Sequence, residues 1–366
     1  MYERCQSHNI PFKKLGKLVV ALPGQEKYIH SVHEHANSIP WPKPNQQATT
    51  QAVPTRLLSG DEAREMEPDL SPHISLALFS PETGIIDSHS LMDSFEQDIE
   101  SSEGGELVFD TKVVRVDPWV GNIDVGEERV QDGGWVVQTL TSEGEETDSI
   151  LAKTLINASG LSSHQILNHL LPLTTPPSPL IPIFYARGSY AAYRGPGVGS
   201  IQRLLYPVPD EGKSRDRKGT IGGHQGLGTH LTVDLDGNIR FGPDVEWIEP
   251  PGVDSDNVTD PSAIDFWQKH LVATESQLPL MHESISSYLP NITLEGLSPD
   301  YVGIRPKLAG PGQGFRDFVI RVDKSGRFVR GKREDEGGRM VTLMGIESPG
   351  LTSSMALAEM VVDDVL

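Results

Sequence analysis

GIESPGLTSSMALAEM, residues 345–360, is the stretch on which the reading turns. A strand-like run, Met340 to Gly345, leads into a glycine-rich turn at Ser348-Pro349-Gly350. The good helix formers Met355-Ala356-Leu357-Ala358-Glu359-Met360 follow. A helix from about Ser353 to Leu366 is expected. Backbone N–H groups at such a helix start attract an anion. An ordinary N-cap by Thr352 or Ser353 satisfies the same donors, so both readings stand at this point.

Working outward, Tyr301 to Leu308 reads as a strand and carries Gly303-Ile304-Arg305-Pro306-Lys307. Arg305 and Lys307, two apart, share a strand face. Two cations so placed suit a dicarboxylate, with arginine giving a bidentate grip; solvated charges on an exposed face are the alternative. Farther upstream, Thr154 to Gly160 reads as a buried strand ending in the small residues of Asn157-Ala158-Ser159-Gly160-Leu161, where backbone can approach a ligand. A plain strand-to-helix turn, followed by a helix over Ser163 to Leu171, explains the same residues. His230, in Gly226-Leu227-Gly228-Thr229-His230-Leu231-Thr232, sits on an expected strand. An imidazole titrates near neutrality and suits a general base, although a structural histidine is commoner and His224 competes.

The remaining pattern mixes strands and helices without strict alternation. Strands are expected at 17–21, 107–116, 135–140 and 318–322, and a hairpin turn at Asp236-Gly237-Asn238. Ser59 with Glu62 forms a capping-box pattern that starts a short helix. Leu91, Phe95 and Ile99 line one face of a helix over Ser88 to Glu100. Helical sequence is also read around 264–271 and 285–288, and a loop over 41–54. The expected class is α/β (α+β), with a nucleotide-binding domain interleaved with an antiparallel β-rich substrate domain. The first takes residues 1–25, 85–180 and 300–366; the second takes 26–84 and 181–299.

Composition narrows the function. The 366 residues carry a net charge of -20, which disfavours nucleic acid as a partner. Two basic loops, Lys213 to Lys218 and Arg327 to Arg333, read as solvated. Cys5 is the lone cysteine, so neither an internal disulfide nor a cysteine-based metal site is expected, and no metal is assigned. No run of 18 apolar residues marks a membrane span. The first residues lack a signal-peptide pattern, and their amphipathicity stops at Pro11.

KLGKLVVA (14–21 region), SPETGIID, LINASGL, LLYPVP, GLGTHLTVDLDGNIRFGPDVEW, YVGIRPKLAGPGQGFRDFVI and GIESPGLTSSMALAEMV occur in this order. The set resembles the D-amino-acid-oxidase-like family of FAD-dependent oxidoreductases, and within it the L-2-hydroxyglutarate dehydrogenases. The resemblance implies hydride transfer from a 2-hydroxy dicarboxylate, L-2-hydroxyglutarate, to non-covalent FAD, yielding 2-oxoglutarate. It implies that Val113 contacts adenine and that Asn157, Ala158, Ser159, Gly160 and Leu161 lie beside FAD. Arg305 and Ser348, Pro349, Gly350, Leu351, Thr352 and Ser353 then line the flavin, His230 is the base, and Arg305 and Lys307 hold carboxylates.

Eukaryotic members of the family are mitochondrial; this chain shows no targeting signal, which leaves a cytoplasmic location open. The electron acceptor is not implied. The family begins with a strand, G-x-G-x-x-G, helix and strand, and no G-x-G-x-x-G occurs in the 366 residues. The expectation is therefore of an FAD-binding domain without its N-terminal βαβ unit, colourless and poorly soluble when made as these residues alone. A related oxidase of an amino acid, or an inactive truncated remnant, are the alternative functions.

Overall fold

A computed structural model describes residues 1–39, 53–125, 128–141, 147–209, 214–215, 221–222, 228–250, 266–267 and 269–365. Nine strands build its largest sheet: β1 (Lys17–Ala21), β2 (Arg56–Ser59), β3 (Leu76–Ser80), β4 (Phe184–Tyr193), β5 (Leu204–Pro207), β6 (His230–Val233), β7 (Ile239–Gly242), β8 (Glu246–Ile248) and β9 (Leu297–Lys307). The spatial order is β8-β4-β7-β6-β5-β1-β3-β2, with β9 paired along β4. All neighbours are antiparallel except β5 and β1, which run parallel.

The two-residue side-chain period divides this sheet into two chemically different faces. Leu18 and Val20 of β1, Leu205 of β5, Leu231 and Val233 of β6, and Ile239 and Phe241 of β7 enter one hydrophobic core. The helix Leu278–Ser286 contributes Met281 and Ile285 to the same core, and Tyr288 and Leu289 follow it. Lys17, Tyr206, His230, Thr232 and Arg240 alternate with those apolar residues and therefore fall on the opposite face. Between β6 and β7, Asp234 accepts hydrogen bonds from the backbone N–H of Asp236 and Asn238 at 2.9 and 2.8 Å. Gly237 there has φ 89°, so the Asp-Gly-Asn signal marks the hairpin as expected.

A second body holds two three-stranded sheets. The strands Thr111–Val125, Glu128–Thr141 and Thr147–Ala152 form an antiparallel meander. Thr154–Asn157 runs parallel to Arg339–Met344, which pairs antiparallel with Val319–Lys324. Trp135, Leu167, Leu170, Phe328, Met340 and Met344 pack into its core under the helix Ser163–Leu170.

Residues 17–21 and 300–307, expected from sequence in the nucleotide-binding part, pair within the large sheet, against β3, β5 and β4. The strand expected from 107 starts at Thr111, because Asp110 takes φ 50° and Val108 and Phe109 are exposed. The helix Glu26–Ser38 was not anticipated; its histidines dilute the apolar stripe, and only Ile29 and Ala36 are buried. The Ser59–Glu62 capping box and the helix Ser88–Ser101 are present, the latter capped by Asp87. Most of 41–54 and of 264–268 lies outside the described residues.

Candidate active site

His230 lies on β6, is 7% exposed, and stacks on Tyr206 of β5 with ring centroids 3.7 Å apart and planes 18° apart. The Lys17 ammonium, from β1, sits 4.8 Å from the centroid of the same Tyr206 ring. Burial lowers the Lys17 pKa from the usual lysine range. Burial also raises the Tyr206 pKa, Tyr190 raises it further, and the positive charge of Arg305 opposes both. Those influences put Tyr190 and Arg305 within electrostatic reach of the Tyr206 hydroxyl.

On the far side of the same face, Tyr190 of β4 stacks on Tyr301 of β9 at 4.2 Å and 14°. Burial, reinforced by Tyr190, pushes the Tyr301 hydroxyl well above the normal phenol range. Arg305 Nη2 donates to Tyr190 Oη at 3.4 Å, a long contact that leaves most of the guanidinium fork available. Gly242 pairs with His230 across β6 and β7. A Cβ on Gly242 would lie 2.7 Å from Tyr190 Cδ1 and 2.9 Å from the Ser189 carbonyl, and its φ is 140°. Glycine at this position lets Tyr190 lie close against β7, at the residue paired with His230.

The cations on the face differ in their partners. Arg240 is neutralised by Asp234 at 2.7 Å and Asp300 at 2.5 Å. Lys307 is held by Glu347 at 2.8 Å, with both side chains about five-sixths buried at 16% and 15% exposure. Lys307, expected to hold a carboxylate, donates to both oxygens of the Glu347 carboxylate at 2.9 and 2.8 Å. Neither Lys17 nor Arg305 has a carboxylate partner among the described residues.

Through Glu347 the sheet meets the turn before the C-terminal helix, Gly350–Met360. Gly345 turns the chain with φ 67°. The Gly350 N–H donates to the Glu347 carbonyl, and the Ser353 N–H to the Pro349 carbonyl at 3.0 Å. The helix starts three residues before the expected Ser353, with Pro349 at the N-cap and no side-chain cap. Capping by Thr352 or Ser353 is thus excluded, and the helix start keeps its anion-attracting character. Ser348, Pro349, Leu351 and Thr352 are exposed around it.

Of the second glycine turn, Asn157 is 4% exposed and works within the protein. Its Nδ2 donates to the Ser163 carbonyl at 2.7 Å, and its Oδ1 accepts from the Ser159 hydroxyl at 2.6 Å. That leaves Ala158, Ser159 and Gly160, all exposed, to face outward. The Leu161 carbonyl accepts from Tyr185 Oη at 3.2 Å, which ties the turn to β4. Val113, 45% exposed, stands on the separate meander. His224 lies outside the described residues.

Lys17, Tyr190, Tyr206 and Tyr301 were missed as site residues. For Lys17 and Tyr206 a signal existed: in KLVVA and LLYP they take the alternate positions to buried Leu18, Val20 and Leu205.

Comparison with known proteins gives a consistent result. Residues 1–364 match the model of the DAO family, FAD dependent oxidoreductase. An L-2-hydroxyglutarate dehydrogenase, mitochondrial, of Arabidopsis thaliana is 32% identical, over 100% of this chain and 69% of its own length. The protein of the same name from Homo sapiens is 25% identical, over 100% of this chain and 73% of its own length. Among solved structures, L-alpha-glycerophosphate oxidase from Mycoplasma pneumoniae with FAD bound superposes with a TM-score of 0.59 at 21% identity, covering 96% of this chain and 73% of that one.

Proposed function

The chain belongs to the DAO family of FAD-dependent oxidoreductases, with FAD as its cofactor, and from that premise we propose that it oxidises the 2-hydroxyl of L-2-hydroxyglutarate to 2-oxoglutarate. One observation carries the proposal: a buried histidine and an arginine without a carboxylate partner among the described residues share one polar sheet face. The names of the relatives at 32% and 25% identity supply the substrate.

The residues present fit the flavin end of the cofactor. The start of Gly350–Met360 has no side-chain cap, so its N–H groups suit the electron-rich N1/C2=O edge of a flavin. Ser348, Pro349, Gly350, Leu351, Thr352 and Ser353 would hold that end, together with Arg305 of β9. Bound FAD supplies the acceptor for the hydride that leaves C2.

Arg305 grips the C1 carboxylate through its fork. His230 accepts the hydroxyl proton as C2 loses its hydrogen with the electron pair, so alcohol becomes ketone. Stacking on Tyr206 fixes the imidazole plane. Lys307 acts indirectly, by anchoring Glu347 and the turn. Mitochondrial location is proposed on the names of the relatives.

Replacing His230 with Ala in FAD-loaded protein lowers kcat by about 10²-fold, as loss of a general base does. The ratio of flavin absorbance to protein stays as in the wild type. Unchanged turnover with L-2-hydroxyglutarate would remove His230 from the chemistry.

A further inference from the structure

Lys17 has surroundings that an ordinary strand lysine lacks. It lies on β1, where Leu18 and Val20 point into the core and Lys17 takes the polar face. Its ammonium is 4.8 Å from the Tyr206 ring, and Tyr206 in turn stacks on His230 at 3.7 Å. The other cations nearby are spoken for: Arg240 by Asp234 and Asp300, Lys307 by Glu347. Among the described residues Lys17 meets no carboxylate, and burial already weakens its hold on its proton.

A part-buried ammonium without an anion is costly unless a ligand provides one. The π face of Tyr206 offsets some of that cost but satisfies none of the three N–H donors. The order along the face is Arg305 and Tyr190, then His230 with Tyr206, then Lys17. A 2-hydroxy acid gripped at C1 by Arg305 with its hydroxyl at His230 directs the rest of its chain toward β5 and β1. A second carboxylate on that chain meets Lys17; a methyl group there meets an unsatisfied charge.

We propose that Lys17 binds the distal carboxylate and so selects dicarboxylic over monocarboxylic 2-hydroxy acids. The inference rests on the substrate orientation proposed above. It assigns a specificity residue, and Lys17 takes no part in the proton or hydride transfer.

The test uses FAD-loaded protein and two probes that cannot react, glutarate and butyrate, with binding followed by calorimetry and by perturbation of the flavin spectrum. Wild type binds glutarate more tightly than butyrate. Lys17→Gln loses about 10- to 100-fold in glutarate affinity, as for one charge-assisted hydrogen-bonded contact, and leaves butyrate unchanged. Lys17→Arg retains most of the glutarate affinity. Where Lys17→Gln fails to fold, Lys17→Met, which keeps the apolar stem, is measured in the same way with the same expectation.

Equal losses for both probes would reduce Lys17 to a structural support, and an unchanged glutarate affinity would remove it from the site; either overturns the inference. Failure of the underlying reading looks different. There the wild type itself shows no preference for glutarate and does not oxidise L-2-hydroxyglutarate, whatever residue stands at 17.

Discussion

Replacing Glu347 with Gln tests how the sheet is joined to the helix start. The Lys307 ammonium lies 2.8 Å from the carboxylate, and both side chains are mostly buried. At that distance and an effective dielectric near 20, the gross attraction is about 6 kcal/mol. Desolvation of the two charges offsets part of it, so losing one partner costs about 3 kcal/mol. With an unfolding entropy of about 2.1 cal/mol/K per residue, a chain of this size changes stability by roughly 0.8 kcal/mol per degree, so Tm falls by about 4 °C. The turn also loses its anchor, so FAD dissociates more readily.

The assay is thermal unfolding beside FAD titration for Glu347→Gln, Lys307→Met and the double variant. The double variant recovers much of the lost stability, because no unpaired charge remains. A Tm within about 1 °C of wild type for Glu347→Gln, less than a third of the expected shift, together with unchanged FAD affinity would refute the argument that this pair holds the turn.

Two further outcomes follow from other contacts. Gly242→Ala forces a Cβ to 2.7 Å from Tyr190 at a φ of 140°, so it destabilises the protein by about 2 kcal/mol in urea unfolding and, by displacing Tyr190 from Arg305, raises the KM for the hydroxy acid. The Arg4 hydrogen bond at 2.7 Å leads the causes that depress the Asp98 pKa, so its contribution is present above the ordinary carboxylate range and is lost as pH falls through the depressed value. Hydrogen-exchange protection of the Tyr2–Ser7 backbone, corrected for the intrinsic exchange rate at each pH, therefore falls as pH drops through the depressed Asp98 value, and Arg4→Met weakens that step.

Much of this fold is legible in the sequence. Local signals carried through where a few residues determine the conformation: the Ser59–Glu62 box, the Asp236-Gly237-Asn238 turn and the Leu91-bearing helix. The turn at 345–350 is recognisable in the sequence, but Thr352 and Ser353 look like caps and place the helix start at Ser353, whereas the helix begins at Gly350 with Pro349 at its N-cap. The strand 17–21 is legible but its sheet partners are not, since a five-residue apolar strand carries no record of them. The same blindness explains the site. Lys17, Tyr206, His230, Tyr190 and Arg305 come from five strands spread over almost 290 residues, and only the pairing of those strands gathers their side chains on one face. Lys307 and Arg305 share a strand face, as spacing requires, but Glu347, forty residues away, decides that one of them is occupied.

The central claim, that the face bearing His230 and Arg305 oxidises a 2-hydroxy dicarboxylate with FAD, is tested most directly by anaerobic mixing of FAD-loaded protein with L-2-hydroxyglutarate while the oxidised flavin absorbance is followed. The account predicts full bleaching by the L enantiomer with one equivalent of 2-oxoglutarate formed per flavin, and slow or absent bleaching in His230→Ala. Persistent flavin absorbance with L-2-hydroxyglutarate, alongside rapid bleaching by an amino acid, would contradict it.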